Sequence, residues 1–73
     1  MTVKELIEQL QTLDPDMRVF TDGYEDGYDD VVSVNNIRDI ALSYNDEWYY
    51  GTHMDADRID SREGYEIVKG VIL

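Results

Sequence analysis

Five apolar residues, Val3, Leu6, Ile7, Leu10 and Leu13, recur at the i, i+3, i+4, i+7 spacing that lines one face of an α-helix, and Lys4, Glu5, Glu8, Gln9 and Gln11 take the opposite face. Both ends of the pattern are marked. Thr2 precedes it and Glu5 follows three residues later, the arrangement of a capping box in which each side chain accepts from the other's backbone N–H. Pro15 disfavours helical geometry at Asp14. The spacing therefore predicts a helix from about residue 3 to about residue 13.

Everything after the Asp14-Pro15-Asp16 turn reads as strand or loop. Met17, Val19 and Thr21 alternate with Arg18, Phe20 and Asp22, which predicts a first short strand. Residues 31–44 are rich in β-formers (Val31, Val32, Val34, Ile37, Ile40, Leu42), and their alternation changes phase at Asn35-Asn36, so a bulge or two joined strands is expected there. Asn45-Asp46-Glu47 is a turn leading to an aromatic strand, Trp48-Tyr49-Tyr50. Residues 51–64 read as an irregular loop with one helical turn around residues 56–59, and residues 65–73 as a last strand with Ile67, Lys69 and Val71 on one face. Strand follows strand without an intervening helix. The expected fold class is therefore α+β, one N-terminal helix packed on a small, mainly antiparallel sheet of about three to five strands, in a single domain spanning residues 1–73.

Charge restricts what such a domain can bind. The chain carries 17 Asp and Glu against 6 Lys and Arg, a formal net charge of -11. A surface this acidic repels phosphate backbones and anionic lipid, so direct nucleic-acid or membrane binding is not expected, and a protein partner with a basic surface is. There is no cysteine, which excludes disulfides, thiolate metal sites and a cysteine nucleophile. The start, Met1-Thr2-Val3-Lys4-Glu5-Leu6, lacks the basic-then-apolar order of a signal peptide and no segment approaches a membrane span, so a cytoplasmic location is expected.

The candidate site is the acidic stretch Asp22-Gly23-Tyr24-Glu25-Asp26-Gly27-Tyr28-Asp29-Asp30, which holds five acids, two glycines and two tyrosines and no base. It reads as a loop presenting Asp22, Tyr24, Glu25, Asp26, Tyr28, Asp29 and Asp30 to a partner. Its carboxylates could instead take a divalent cation, although their spacing does not follow the EF-hand order. A second acidic patch, His53, Asp55, Asp57 and Asp60 with Glu66 beyond, fails the same pattern because Asp60 stands where the loop glycine is needed. His53 beside Asp55 is the one conceivable general base, and no nucleophile elbow, catalytic triad or phosphate-binding glycine loop accompanies it. No enzymatic activity and no cofactor are expected. Trp48 and Tyr50 would share one face of their strand and Tyr49 the other, so one side can be core while the other is either covered by the chain's own helix or loops or joins the expected partner surface, to which Trp48 and Tyr50 are assigned.

The segments Thr2-Val3-Lys4-Glu5-Leu6-Ile7-Glu8-Gln9-Leu10, Leu13-Asp14-Pro15-Asp16-Met17-Arg18-Val19-Phe20 and Gly23-Tyr24-Glu25-Asp26-Gly27-Tyr28-Asp29-Asp30 together resemble the opening of short bacterial, phage and prophage proteins without assigned catalytic residues. The resemblance covers roughly the first thirty residues and implies a cytoplasmic accessory protein of mobile-element origin. The expected function is a non-enzymatic protein-interaction module of phage or prophage type that binds a basic protein surface. A divalent-cation-binding domain and a structural homo-oligomer formed by edge-strand pairing are the alternatives.

Overall fold

A computed structural model describes all 73 residues, in the order helix α1 (Val3–Leu10), strands β1 (Phe20–Asp22), β2 (Tyr28–Asp30), β3 (Ile37–Ala41), β4 (Met54–Asp55) and β5 (Ile67–Val71). Two 3-10 turns, Tyr24–Asp26 and Ala56–Arg58, interrupt the strands. The chain is α+β, with one helix and two small antiparallel sheets, one of two strands and one of three. It divides into two compact units, Met1–Val31 and Val32–Leu73.

In the first unit the capping box forms as the sequence requires. Thr2 Oγ1 accepts from the Glu5 N–H at 3.1 Å, and Glu5 Oε1 accepts from the Thr2 N–H at 3.4 Å. The helix ends at Leu10, short of the expected residue 13. Its last turn tightens instead: the Thr12 and Leu13 N–H groups donate to the carbonyls of Gln9 and Leu10, and the Thr12 hydroxyl also donates to the Gln9 carbonyl at 2.7 Å. These i to i+3 bonds satisfy carbonyls that a continuing helix would have used. Asp14 then closes the turn around Pro15, its carboxylate accepting from the Asp16 N–H at 2.9 Å. Of the helical residues only Leu6 is half-buried.

The first strand begins later than its alternation suggests, at Phe20 rather than Met17, because its partner is the far half of the acidic stretch. Within residues 22–30 only 23–27 form the expected loop, and Asp22 and residues 28–30 are paired strand. β1 and β2 pair antiparallel in the register Phe20 with Asp30, Thr21 with Asp29 and Asp22 with Tyr28, and the Val31 N–H adds a bond to the Val19 carbonyl at the open end.

In the second unit β3 is the central strand, flanked by β4 and β5. Residues 31–36 form no strand, so the phase change at Asn35-Asn36 marks where β3 is entered and not a bulge within it. β5 pairs with β3 from Ile37 opposite Val71 to Ala41 opposite Ile67, a shorter strand than the sequence suggests. Gly70 sits where a Cβ would come within 3.1 Å of the Ile40 side chain, a close approach that explains glycine within the strand. Ala41 at the end of β3 and Ala56 in the second 3-10 turn are the two fully enclosed residues, at 0% and 2% exposure. Around them Ile40, Leu42, Met54, Ile59, Ile67 and Val68 are half-buried. The 3-10 turn forms where a helical turn is expected, with the Asp55 carboxylate accepting from the Asp57 N–H.

Asp39, in the middle of β3, links this strand to its neighbours through surface ion pairs. Its Oδ1 lies 2.8 Å from Lys69 Nζ on the opposed residue of β5, and its Oδ2 lies 3.3 Å from Arg62 Nη1, whose guanidinium also reaches Asp57. The hydrogen bond from Lys69 and its charge, with Arg62 adding a smaller contribution, hold the Asp39 carboxyl below the usual carboxylate range. A carboxyl with a lowered folded-state pKa stabilises the fold above its unfolded pKa and loses that effect as pH falls through the folded value. We expect Asp39→Asn to lower the melting temperature at neutral pH and to flatten its fall below about pH 4. Thermal melts of both proteins across the acid range measure this, and parallel acid limbs would contradict it.

Candidate functional site

The β1–β2 hairpin owes its shape to five residues between its strands. The Gly23 N–H donates to the Gly27 carbonyl at 2.9 Å, and the Gly27 N–H donates to the Tyr24 carbonyl at 3.2 Å, so the two glycines of the repeated Asp-Gly-Tyr unit face each other across the neck. A Cβ on Gly23 would stand 3.1 Å from Asp29 Oδ2, so glycine is what lets the Asp29 carboxylate lie against the backbone there. Between the glycines, Glu25 (φ 48°, ψ 57°) and Asp26 (φ 66°) adopt the left-handed conformation. Aspartate tolerates this region; glutamate does so at a cost.

Because cross-strand partners share a face, Phe20 and Asp30 lie with Asp22 and Tyr28 on one side of the hairpin, and Thr21 with Asp29 on the other. Tyr24 at the tip is 88% exposed and Tyr28 is 74% exposed. Arg18 is the one cation on this surface: its Nη2 lies 2.6 Å from Asp30 Oδ1, and its guanidinium carbon sits 5.1 Å from the centre of the Phe20 ring. Asp22, Glu25, Asp26 and Asp29 make no ion pair. Asp22 and Asp26 line a shallow depression with Gly23, Gly27 and Tyr28. No group of three or more aspartate, glutamate or histidine side chains converges in a way that would hold a metal ion.

The second acidic patch is absorbed by local structure. Asp55 caps the 3-10 turn, Asp57 pairs with Arg62, and His53 Nδ1 accepts from the Ser43 N–H at 2.9 Å. That bond places the imidazole at the base of the connection between β3 and β4, and Ser43 takes a positive φ of 53° to reach it. With Nδ1 accepting from the backbone, that nitrogen has no N–H to donate to an orienting carboxylate such as Asp55.

Trp48-Tyr49-Tyr50 is a turn, not a strand. The loop that carries it closes at its neck, where the Asn45 N–H donates to the Thr52 carbonyl at 3.0 Å and Asn45 Nδ2 donates to the Gly51 carbonyl at 2.7 Å. Inside, the Tyr50 N–H donates to the Glu47 carbonyl. Strand alternation therefore does not separate the three rings. Tyr49 packs against both neighbours, edge-on to Trp48 at 5.6 Å between centroids and tilted to Tyr50 at 4.9 Å. Trp48 is 91% exposed.

Of the residues singled out from the sequence, Asp22, Tyr24, Glu25, Asp26, Tyr28, Asp29 and Asp30 are gathered on the hairpin of the first unit, and Trp48 and Tyr50 on the loop of the second. Sequence reasoning missed Arg18, Phe20, Tyr49 and Asn45. The pairing of Arg18 with Asp30 needs the hairpin register, and the role of Asn45 is a bond closed through space. Comparison with family models, with curated proteins and with solved structures gives no match.

The left-handed residue at the hairpin tip supplies a direct check of this geometry. Glycine removes a Cβ clash worth about 1–2 kcal/mol and gives back about 0.5–1 kcal/mol in unfolded-chain entropy. Glu25→Gly should therefore stabilise the chain by about 0.5 kcal/mol in denaturant melts, with Glu25→Gln as the control for lost charge. A destabilised Glu25→Gly variant would contradict the left-handed tip.

Proposed function

We propose that this chain is a non-enzymatic protein-interaction module whose hairpin, through Asp22, Tyr24, Glu25, Asp26, Tyr28, Asp29 and Asp30, docks on a basic protein surface. The observation that carries the reading is the pairing of two widely exposed tyrosines with the carboxylates of Asp22, Glu25, Asp26 and Asp29, which join no ion pair of this chain. Tyrosine is favoured at interface centres because it buries a large area while losing few rotamers, and unpaired carboxylates steer a cationic partner and fix its register. In residues 1–31 nine acids face only Lys4 and Arg18, so the field on this unit is strongly negative. The resemblance of roughly the first thirty residues to phage and prophage proteins supports an accessory role of mobile-element origin, with the partner a protein of the cell's interior.

A homo-oligomer is the second reading. Its support is β5, whose outer edge has no neighbouring strand. The Ile72 N–H points inward to the Asn36 carbonyl, so by the antiparallel alternation the backbone groups of Ile67, Lys69 and Val71 point outward. Eleven net negative charges on each copy and Lys69 at the middle of the edge oppose such pairing.

Affinity capture from a host lysate separates these readings. The intact chain should retain basic proteins at low ionic strength and release most of them as salt rises, since the screening length shrinks from about 30 Å at 0.01 M to about 8 Å at 0.15 M. Replacing Asp22, Asp26 and Asp29 by Asn together should abolish the capture. Recovery of no basic protein at low salt, or capture unaffected by the triple replacement, would overturn the proposal. A solution mass by light scattering above that of one chain would favour the homo-oligomer.

A further inference from the structure

We infer that the loop of residues 45–52 is an arginine-docking site, in which the exposed Trp48-Tyr49-Tyr50 rings take a guanidinium on their faces and Asp46 and Glu47 bind its N–H edge. The inference rests on the reading of the chain as a binder of basic protein and names the side chain that this loop selects. Three observations converge on it.

The loop is closed by its own bonds, and its rings touch one another, in the free chain. Asn45 bonds the neck twice, through its N–H to Thr52 and through Nδ2 to Gly51, and the Tyr50 N–H closes a turn on the Glu47 carbonyl. Tyr49, supported on both sides by Trp48 and Tyr50, fixes the cluster through ring contacts. Pre-ordered aromatic residues bind with little further loss of side-chain freedom.

The loop exposes three aromatic rings, and two carboxylates directly precede them in the chain. Trp48 is exposed at 91%, Tyr49 at 61% and Tyr50 at 59%. Asp46 and Glu47 precede them directly and join none of the ion pairs that engage Arg18, Arg62 and Lys69. An apolar partner would leave these two carboxylates beside it without a counter-ion, whereas a cationic side chain meets both demands.

The chain already contains the same recognition in miniature. Arg18 places its guanidinium 5.1 Å from the centre of the Phe20 ring while bonding Asp30 at 2.6 Å. A ring face and a carboxylate edge suit the flat guanidinium, which stacks and donates in its own plane at once; the compact ammonium of lysine does neither well. Arginine is therefore the preferred cation.

Trp48 is the only tryptophan, so its emission reports this loop alone. The full chain is titrated with an oligoarginine and an oligolysine of equal length at about 0.15 M ionic strength, where long-range attraction is screened. Oligoarginine should shift or quench Trp48 emission saturably and bind about fivefold or more tighter than oligolysine. Tyr49→Ala and Tyr50→Ala should each weaken oligoarginine by about fivefold while leaving oligolysine nearly unchanged. Asp46→Asn with Glu47→Gln should weaken both peptides. Circular dichroism shows that each variant keeps the fold. Equal affinities for the two peptides with no effect of the tyrosine variants would overturn the inference, as would an unchanged emission. The triple hairpin replacement keeps the two failures apart: arginine preference retained in that variant belongs to this loop, and its loss of lysate capture bears on the hairpin alone.

Discussion

Repulsion among charges that sum to -11, acting on a chain that fully encloses only Ala41 and Ala56, is the constraint behind the rest of this structure. A small domain with so little enclosed apolar surface has a weak hydrophobic driving force, and like charges oppose its compaction. What holds the chain is a series of local closures. The capping box at Thr2 and Glu5, the Asp14 turn, the Gly23-to-Gly27 bond of the hairpin, the Asn45 neck and the His53 bond to Ser43 each tie residues 10 or fewer apart in sequence. The longer-range ties are the pairing of β3 with β5, extended by the Leu42-to-Glu66 and Ile72-to-Asn36 bonds, and the ion cluster on Asp39, which joins the centre of β3 to β5 and to Arg62.

The same constraint accounts for the surface. The acids with a structural role are those that cap a helix or turn or meet a cation: Glu5, Asp14, Asp30, Asp39, Asp55 and Asp57. The acids of the hairpin tip and of Asp46-Glu47 do neither, and exposed aromatic rings stand beside them in both places. Aromatic area next to uncompensated negative charge is costly on a free surface and useful against a cationic one. The first unit offers tyrosines on a hairpin and the second offers three rings on a closed loop, two different scaffolds carrying one kind of chemistry.

Much of the fold is legible in the sequence where the signal is local. The Thr2-Glu5 capping box, the turn at Pro15, the helical turn near Ala56 and the strand character of Ile37–Ala41 and Ile67–Val71 follow from neighbours within a few positions. The hairpin was hidden because β1 and β2 contain Asp22, Asp29 and Asp30, residues depleted from strands, and because its tip uses left-handed Glu25 and Asp26 where a hairpin signature would show glycine. Trp48-Tyr49-Tyr50 misleads in the opposite direction. Aromatic residues favour strands by packing on a pleated neighbour, and no strand lies beside them once Asn45 has closed the loop. The candidate acids and tyrosines were legible as a group, but Arg18, Phe20 and Tyr49 gain their roles only from register and ring contact.

The central claim is that the two acid-and-aromatic surfaces, and not the acidic chain as a whole, receive a cationic partner. Amide chemical-shift mapping of the isotope-labelled chain with a short arginine peptide tests it most directly. The account predicts that the largest shifts fall within residues 20–30 and 45–52, with α1 and β5 little moved. Shifts spread evenly along the chain, or centred on α1 or β5 while the hairpin and the aromatic loop stay still, would contradict it.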